Sequence, residues 1–362
     1  MRERKILSQF DYYLFSASLI LALLGALGIY HAEAEGGDSS IFLRQLLWIG
    51  LGVAVCLCVM SIDYHLLADY AFLLYGLSIL LLMGILFWGT EINNSRSWLT
   101  FAGVRFQPSE TAKVVLILAL AQYLGELNEN YLRRKHFLIL ASITFLPITL
   151  VVLQGDLGTG LMYLPIFVGI TIVAGLKMRF LAGLLIVFLC LAPLSWFFLK
   201  DYQKQRILVT FDPELDPQGI GYQTRQSQIA IGSGGLFGKG LGQGLQSQLG
   251  FVPEIHTDFI FALVAEETGL VGAIFILMLY LLVLMRLLRI AETARDRVGI
   301  LIITGIASLT FFHVVVNVGM TLGILPSIGI PLPLLSYGGS ATLTTFAALG
   351  LALNVYQRRF VY

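Results

Sequence analysis

Three ionisable side chains, Glu254, His256 and Asp258, stand just ahead of a long apolar run that begins at Phe259. A carboxylate at such a border has two uses. Asp258 could cap the helix start, because Asp is a favoured N-cap and the positive end of the helix dipole suits an anion. It could instead be aimed at a substrate, with His256 beside it as a further candidate. A second constellation, Gln107-Pro108-Ser109-Glu110-Thr111-Ala112-Lys113, heads another apolar run. Pro108 suits a first helical turn, and Glu110 and Lys113, three apart, share one face and can pair. On a solvated helix end such a pair contributes only about 0.2–0.5 kcal/mol. At membrane depth each charge costs about 2.5 kcal/mol or more, and ionisable residues there are functional by default.

Four other stretches add candidates. In Asn93-Asn94-Ser95-Arg96-Ser97-Trp98 a guanidinium adjoins an indole; Trp98 suits an interfacial anchor, and Arg96 either holds a pyrophosphate through paired hydrogen bonds or sits in water. Asp156 in Gly155-Asp156-Leu157-Gly158-Thr159-Gly160 is a turn residue or one more carboxylate facing a ligand. Asp258, Ala262 and Glu266 form one stripe at four-residue steps, with Glu267 alongside. Glu266 then lies on the order of 12 Å deeper than Asp258 at about 1.5 Å per residue. His313 and Asn317, four apart, could partner these acids or bond between helices. In the stretch from Leu325 to Ser340, Pro326, Pro331 and Pro333 forbid a regular helix and Gly338-Gly339 allow close approach. Broken backbone near a bilayer lines a cavity or is buried in protein, which makes Ser336 a candidate too; a kinked structural span would also account for the stretch.

The elements that must position these residues are membrane spans. Of 362 residues, 57% are hydrophobic and 12% charged, against about a quarter charged in soluble domains. Apolar runs of about 20 residues recur, long enough to cross a bilayer as helices. The expectation is an all-α integral membrane protein, one polytopic domain over 1–362, with ten transmembrane helices near 12–30, 42–60, 66–89, 108–124, 137–153, 158–176, 180–199, 259–284, 299–322 and 335–356. The first apolar segment, after Met1-Arg2-Glu3-Arg4-Lys5, is too long for a signal-peptide core and reads as a retained first span. Most Lys and Arg, including Arg2, Arg4, Lys5, the cluster Arg133-Arg134-Lys135, Lys177, Arg179, Arg358 and Arg359, fall on the N-terminal side. Both termini are therefore expected to be cytoplasmic. Asp258, 93–105 and Asp156 then share the outer face, together with one large extracytoplasmic loop, 200–257, between spans seven and eight.

Other classes are disfavoured. A net charge of +1 gives no field for nucleic acid, and Cys56, Cys58 and Cys190 lie inside apolar segments without the spacing of a zinc site or disulfide framework. The run Gly232-Ser233-Gly234-Gly235-Leu236-Phe237-Gly238-Lys239-Gly240-Leu241-Gly242 lacks the strand-loop-helix setting and Lys-Ser/Thr ending of a phosphate loop. A re-entrant or surface-hugging loop needing close backbone approach fits it better.

The motifs Gln-Pro-Ser-Glu-x-x-Lys at 107–113, Gly-Asp-Leu-Gly-Thr at 155–159, Pro-Glu-x-His-Thr-Asp-Phe-Ile-Phe at 253–261 and Leu-Pro-Leu-x-Ser-Tyr-Gly-Gly-Ser at 332–340 occur in this order. The chain thereby resembles the SEDS family of shape, elongation, division and sporulation proteins, and within it the elongation branch (RodA-like) more than the division branch (FtsW-like). The resemblance implies a peptidoglycan glycosyltransferase polymerising lipid II at the outer face of the bacterial cytoplasmic membrane, with a class B penicillin-binding protein (PBP2-like) as crosslinking partner. It also implies that Asp258 is the essential acid and that Glu110, Lys113, Asp156 and Arg96 bind substrate. A divalent cation, Mg or Mn, held by Glu110 or Asp156 would sit at the phosphates, with no organic cofactor. The rival class is a lipid II flippase; it is disfavoured because no inverted repeat is visible and the acids cluster at the outer face rather than at mid-membrane, Glu266 and Glu267 excepted.

Overall fold

The computed structural model describes residues 10–33, 40–92, 95–101, 104–127, 132–177, 179–180, 182–183, 186, 197, 201–212, 215–216, 219–248 and 251–359. The basic N-terminus through Lys5, Asn93-Asn94, and most of the seventh expected span, including Cys190, lie outside them.

The described helices are α1 Tyr12–Glu33, α2 Ser40–Ser61, α3 Tyr64–Asp69, α4 Ala71–Trp88, α5 Pro108–Gly125, α6 Arg134–Leu153, α7 Leu157–Leu161, α8 Tyr163–Val173, α9 Asp201–Phe211, α10 Ile220–Ser233, α11 Leu245–Gln248, α12 Ile260–Thr293, α13 Arg297–Thr321 and α14 Gly339–Arg358. Six of them, α1, α2, α4, α6, α12 and α13, are long and apolar enough to cross a membrane. A largely helical membrane protein is thus what the chain builds.

The layering follows from which faces are polar. α4 leaves Leu73, Leu80, Phe87 and Trp88 exposed, as a lipid-facing helix does. α5, which carries Glu110 and Lys113, is buried along most of its length against α4, α13 and α14. Polar side chains are therefore taken into the protein rather than shown to lipid. Small residues let the inner helices close up: a Cβ on Gly52 of α2 would come within 2.4 Å of Phe346 Cδ2 on α14, the close approach that stands in for hydrophobic drive between helices in lipid.

The structure corrects the expected elements in four places. The stretch 90–106 is not a plain polar connection: it forms a three-stranded antiparallel sheet, β1 Thr90–Ile92, β2 Ser95–Phe101 and β3 Val104–Phe106, pairing Thr90 with Trp98 and Thr100 with Arg105. The fold is all-α only in its spans. The sixth expected span is divided at Met162 into α7 and α8. The segment 200–257 holds helices α9, α10 and α11.

The fourth correction concerns α12, which is not continuous. Gly269 (φ 68°, ψ −164°) breaks it into a short segment through 268 and a long one beyond. The glycine-rich run fills the break: Lys239 N and Gly240 N donate to the carbonyls of Glu266 and Glu267, while Leu270 N and Val271 N donate to those of Gly235 and Leu236. Backbone groups freed at the kink are thus satisfied within the protein. Only glycine fits at 238, where a Cβ would meet Glu267 O at 2.1 Å. Close backbone approach, rather than phosphate binding, is what this run does.

Loops gather at two ends of the bundle. At one, Arg358 pairs with Asp63 at 3.2 Å and the Tyr64 hydroxyl donates to Asp296. At the other, β2, the Asp156 turn, the residues before α12 and the 326–338 segment meet.

Candidate active site

Asp258 lies in a tight turn formed by 251–259. Buried Val252, Ile255 and Phe259 pin the turn to the core, and Glu254, in the left-handed region at φ 55°, presents its carbonyl to the amides of Thr257, Asp258 and Phe259. The N-cap position of α12 belongs to Phe259, with no side-chain cap bond. Asp258 is therefore no helix cap; its carboxylate takes a hydrogen bond from the Thr257 side chain instead.

The segment after α13 is stitched to that turn through side chains that satisfy its non-helical carbonyls. Asn317 Nδ2 donates to Asp258 O (2.9 Å) and to Ile330 O (2.7 Å). Ser336 Oγ donates to Thr257 O at 2.5 Å and accepts from Leu332 N at 2.8 Å, and Tyr337 N donates to His256 O at 2.8 Å. The Tyr280 hydroxyl donates to Pro333 O at 2.5 Å. Ser336 thus has a positioning role: it holds the proline-rich segment against the residue preceding Asp258. Gly329 closes over the acid, its would-be Cβ 3.4 Å from Asp258 Oδ2.

Asp156 comes to the same place by another route. Its Oδ1 accepts from Thr159 N at 3.0 Å, capping α7, and its Oδ2 accepts from Gln107 Nε2 at 2.9 Å. α7 rests on the proline-rich segment, since a Cβ on Gly158 would lie 2.3 Å from Ile328 O, one residue before Gly329. Gln107 N donates in turn to Ser340 Oγ at 2.9 Å. Asp156 is thus the turn residue that one reading of the sequence expects, and its charge acts on Asp258.

One turn into α5, Lys113 Nζ lies 2.8 Å from Glu110 Oε1 and 3.3 Å from His313 Nε2. His313 Nδ1 faces Pro331 O at 3.2 Å; because a carbonyl only accepts, Nδ1 carries the proton and Nε2 accepts a hydrogen bond from the lysine. The expected Glu110–Lys113 pair is present, but Lys113 is 1% exposed and its ammonium is spoken for. It acts on the neighbouring acids through space.

These positions give the acids distinct electrostatics. Burial, helped by the negative charges of Glu254 and Asp156 and opposed by Arg206, pushes Asp258 up from 3.8 to about 7. Its carboxylate is enclosed by protein yet partly reachable. Burial also raises Asp156; the bonds from Thr159 and the Lys113 charge oppose this, and Glu110 adds to it. His256 is lowered by burial against the pull of Glu33 and Glu254, and its buried Nδ1 has no hydrogen-bond partner. An acid titrating near neutrality beside a cation is suited to taking a proton from a hydroxyl.

Three expected members are placed elsewhere. Arg96, on β2, is 48% exposed and faces Glu91 at 3.6 Å, although its backbone N donates to Gln154 O two residues before Asp156. Glu266 is fully buried at the α12 kink, bound by Lys239 Nζ at 2.7 Å and Gln246 N at 2.9 Å. Glu267 pairs with His31 Nδ1 at 3.1 Å. His313 and Asn317 therefore do not partner these two acids; the kink supplies its own basic groups. Arg206 of α9, by contrast, acts on Asp258 without having been singled out, and Gln107, quoted only as the first residue of its motif, bonds Asp156. Of the two acids expected to hold a divalent cation, Glu110 is committed to Lys113 and Asp156 accepts from Thr159 and Gln107; no three His, Cys, Asp or Glu among the described residues converge.

Comparison with known proteins gives the same picture over nearly the whole chain. Residues 10–360 match the family model described as cell cycle protein, covering FtsW, RodA and SpoVE. The peptidoglycan glycosyltransferase MrdB of Escherichia coli K12 is 39% identical, over 94% of this chain and 93% of its own. A chain of a peptidoglycan synthase complex, solved to show how polymerization and crosslinking are coordinated, superposes with a TM-score of 0.82 at 34% identity, over 97% of this chain and 98% of that one. The crystal structure of the rod shape determining protein RodA of Thermus thermophilus superposes with a TM-score of 0.73 at 32% identity, over 97% and 98%. With its acid turn, its Glu–Lys pair and its proline-rich segment joined at one end of a helical bundle, the chain belongs to the FtsW/RodA/SpoVE family.

Proposed function

We propose that this protein is a peptidoglycan glycosyltransferase that polymerises lipid II at the outer face of the bacterial cytoplasmic membrane during wall elongation, with Asp258 as general base. The activity follows from relatives of that name across nearly the full chain. The observation that carries the base assignment is a carboxylate near pKa 7 that no backbone amide captures, in a turn held by three separate elements.

In the reaction, the 4-hydroxyl of one lipid-linked sugar attacks the anomeric carbon of another. The new glycosidic bond forms as the bond from that carbon to the phosphate oxygen breaks, and the polyprenyl diphosphate leaves with the electron pair. Asp258 takes the hydroxyl proton as the attack develops. Asp156 and Gln107 hold the facing wall, while the buried Lys113–Glu110–His313 unit fixes the proline-rich segment through Pro331 and leaves its charge near the acids. A divalent cation, if bound, would be held by Asp156 with the rest of its shell from phosphates and water, as Mg commonly is; it would supply charge neutralisation at the leaving group.

Ten spans with both termini cytoplasmic accord with the clustering of Asp63, Asp296 and Arg358 at one end and the acid site at the other. A class B penicillin-binding protein is the partner proposed, in keeping with the neighbour solved within a synthase complex. The test is a product gel from labelled lipid II with purified full-length protein, with and without chelator. Wild type makes glycan chains and Asp258→Ala does not; full retention by the variant removes the base assignment, and no chains from the wild type removes the polymerase reading in favour of a flippase.

A further inference from the structure

The reaction needs a cation at the departing diphosphate, and the two expected from the sequence are badly placed for it. Lys113 is buried with its ammonium bound to Glu110 and His313. Arg96 is half exposed and turned to Glu91. A third cation, Arg206, is close enough for its charge to act on Asp258. Arg206 lies on α9, which packs on α10. α10 is fastened to the outer end of α13 by Ser227 Oγ donating to Thr321 O and Gln228 Nε2 donating to Leu322 O.

The Arg206 guanidinium acts on the Asp258 carboxylate, yet its Nε is buried without a hydrogen-bond partner. A buried guanidinium N–H without an acceptor is destabilising, so such a group is expected to meet an acceptor in the working complex. Asp258 cannot be its permanent partner: a fixed ion pair would hold the acid ionised at low pH and spoil it as a base. An anion brought by the substrate would supply the acceptor and leave Asp258 free.

Resting on the polymerase reading above, we propose that Arg206 binds the diphosphate of the lipid substrate beside Asp258 and carries its charge as the sugar–phosphate bond breaks. The planar fork suits two phosphate oxygens at once, which a lysine ammonium cannot match. The chain then divides its cations by task, with Lys113 shaping the pocket from within and Arg206 meeting the ligand.

The test uses full-length protein in detergent micelles and two probes, a fluorescent polyprenyl diphosphate and the matching monophosphate, with lipid II polymerisation measured in parallel. Arg206→Gln is expected to weaken diphosphate binding by about tenfold or more, to shrink the preference over monophosphate, and to lower kcat. Arg206→Lys should recover part of the affinity and less of the preference. Asp258→Asn should bind the diphosphate at least as well as wild type while losing polymerisation, since it removes a nearby negative charge. Thermal melting of each variant separates misfolding from ligand loss, and Arg206→Lys serves if Arg206→Gln does not fold. Diphosphate affinity unchanged in Arg206→Gln, or unchanged selectivity in a folded Arg206→Lys, overturns the assignment. Wild-type protein that neither binds the diphosphate nor polymerises overturns the polymerase reading itself.

Discussion

The titration of Asp258 makes a stability prediction that differs in sign from that of an ordinary carboxylate. Its pKa is raised from 3.8 to about 7 in the fold, so the folded state holds the proton more tightly than the unfolded chain. Both forms are protonated well below pH 4, and the site then costs nothing. As pH rises through the unfolded value the chain gains by ionising only when unfolded, and stability falls until the folded pKa is passed. At about 1.4 kcal/mol per pH unit the loss reaches about 4 kcal/mol above pH 7, an order-of-magnitude figure. Asp258→Asn abolishes the titration. The variant should therefore gain on the wild type as pH rises from 4.5 to 8, by about 3 kcal/mol, which at the usual unfolding entropy per residue is about 4 °C in melting temperature for a chain of this length. Melting both proteins in one detergent at pH 4.5, 6 and 8 measures the difference. A gap that does not change with pH, or a wild type that gains on the variant as pH rises, would show that burial does not hold this acid up.

Three further outcomes follow from the same geometry. Polymerisation should rise about tenfold between pH 6 and pH 8 as Asp258 ionises, and Glu254→Gln, by removing a neighbouring negative charge, should move the midpoint to lower pH; an unmoved profile would detach Asp258 from the rate. Lys113→Met should cost about 3–5 kcal/mol by leaving Glu110 buried and unpaired, and the double variant Glu110→Gln/Lys113→Met should recover much of that in thermal melts; a double variant as unstable as the single one counts against the pair. Gly238→Ala should cost about 2 kcal/mol or more, because its Cβ would meet Glu267 O at 2.1 Å. Gly235→Ala, also left-handed but with nothing within 4 Å, should cost about 1 kcal/mol; equal losses at both sites would mean that the kink does not depend on this packing.

What could be read from the sequence was what local periodicity encodes. Glu110 and Lys113 share a helix face by spacing, and they do pair. The 107–113, 155–159, 253–261 and 332–340 motifs do meet at one end of the bundle. Long-range partners were not legible, because a three- or four-residue interval says nothing about what stands across an interface. For His313 and Asn317 the spacing left two roles open, partners of the α12 acids or bonds between elements; the second holds, but that His313 answers Lys113 and Asn317 the backbone of Asp258 was not in the spacing. The kink at Gly269 escapes notice because one glycine in an apolar run reads as tolerated in a helix; what breaks the helix is the glycine-rich run 30 residues upstream. The signal for β2 was present in Ser95-Arg96-Ser97-Trp98-Leu99-Thr100-Phe101, rich in aromatic and β-branched residues at its end. Nothing in the spacing of 200–257 marks Arg206 out from Arg225 or Lys239.

Glu254 explains why Asp258 can stay near neutrality at the start of a helix. Amides at a helix N-terminus would ordinarily bind a carboxylate there and, together with the dipole, hold its pKa down. Here the amides of Thr257, Asp258 and Phe259 all turn to Glu254 O, which they reach because Glu254 adopts φ 55°. For a non-glycine residue that conformation costs about 1–3 kcal/mol. The strain is local, and Val252, Ile255 and Phe259 in the core, together with Ser336 at Thr257 O, hold it in place. A relaxed Glu254 would release three donors beside the acid and let them stabilise its charged form. Burial remains the largest cause of the raised Asp258 pKa, and the left-handed residue four positions upstream keeps three donors from working against it.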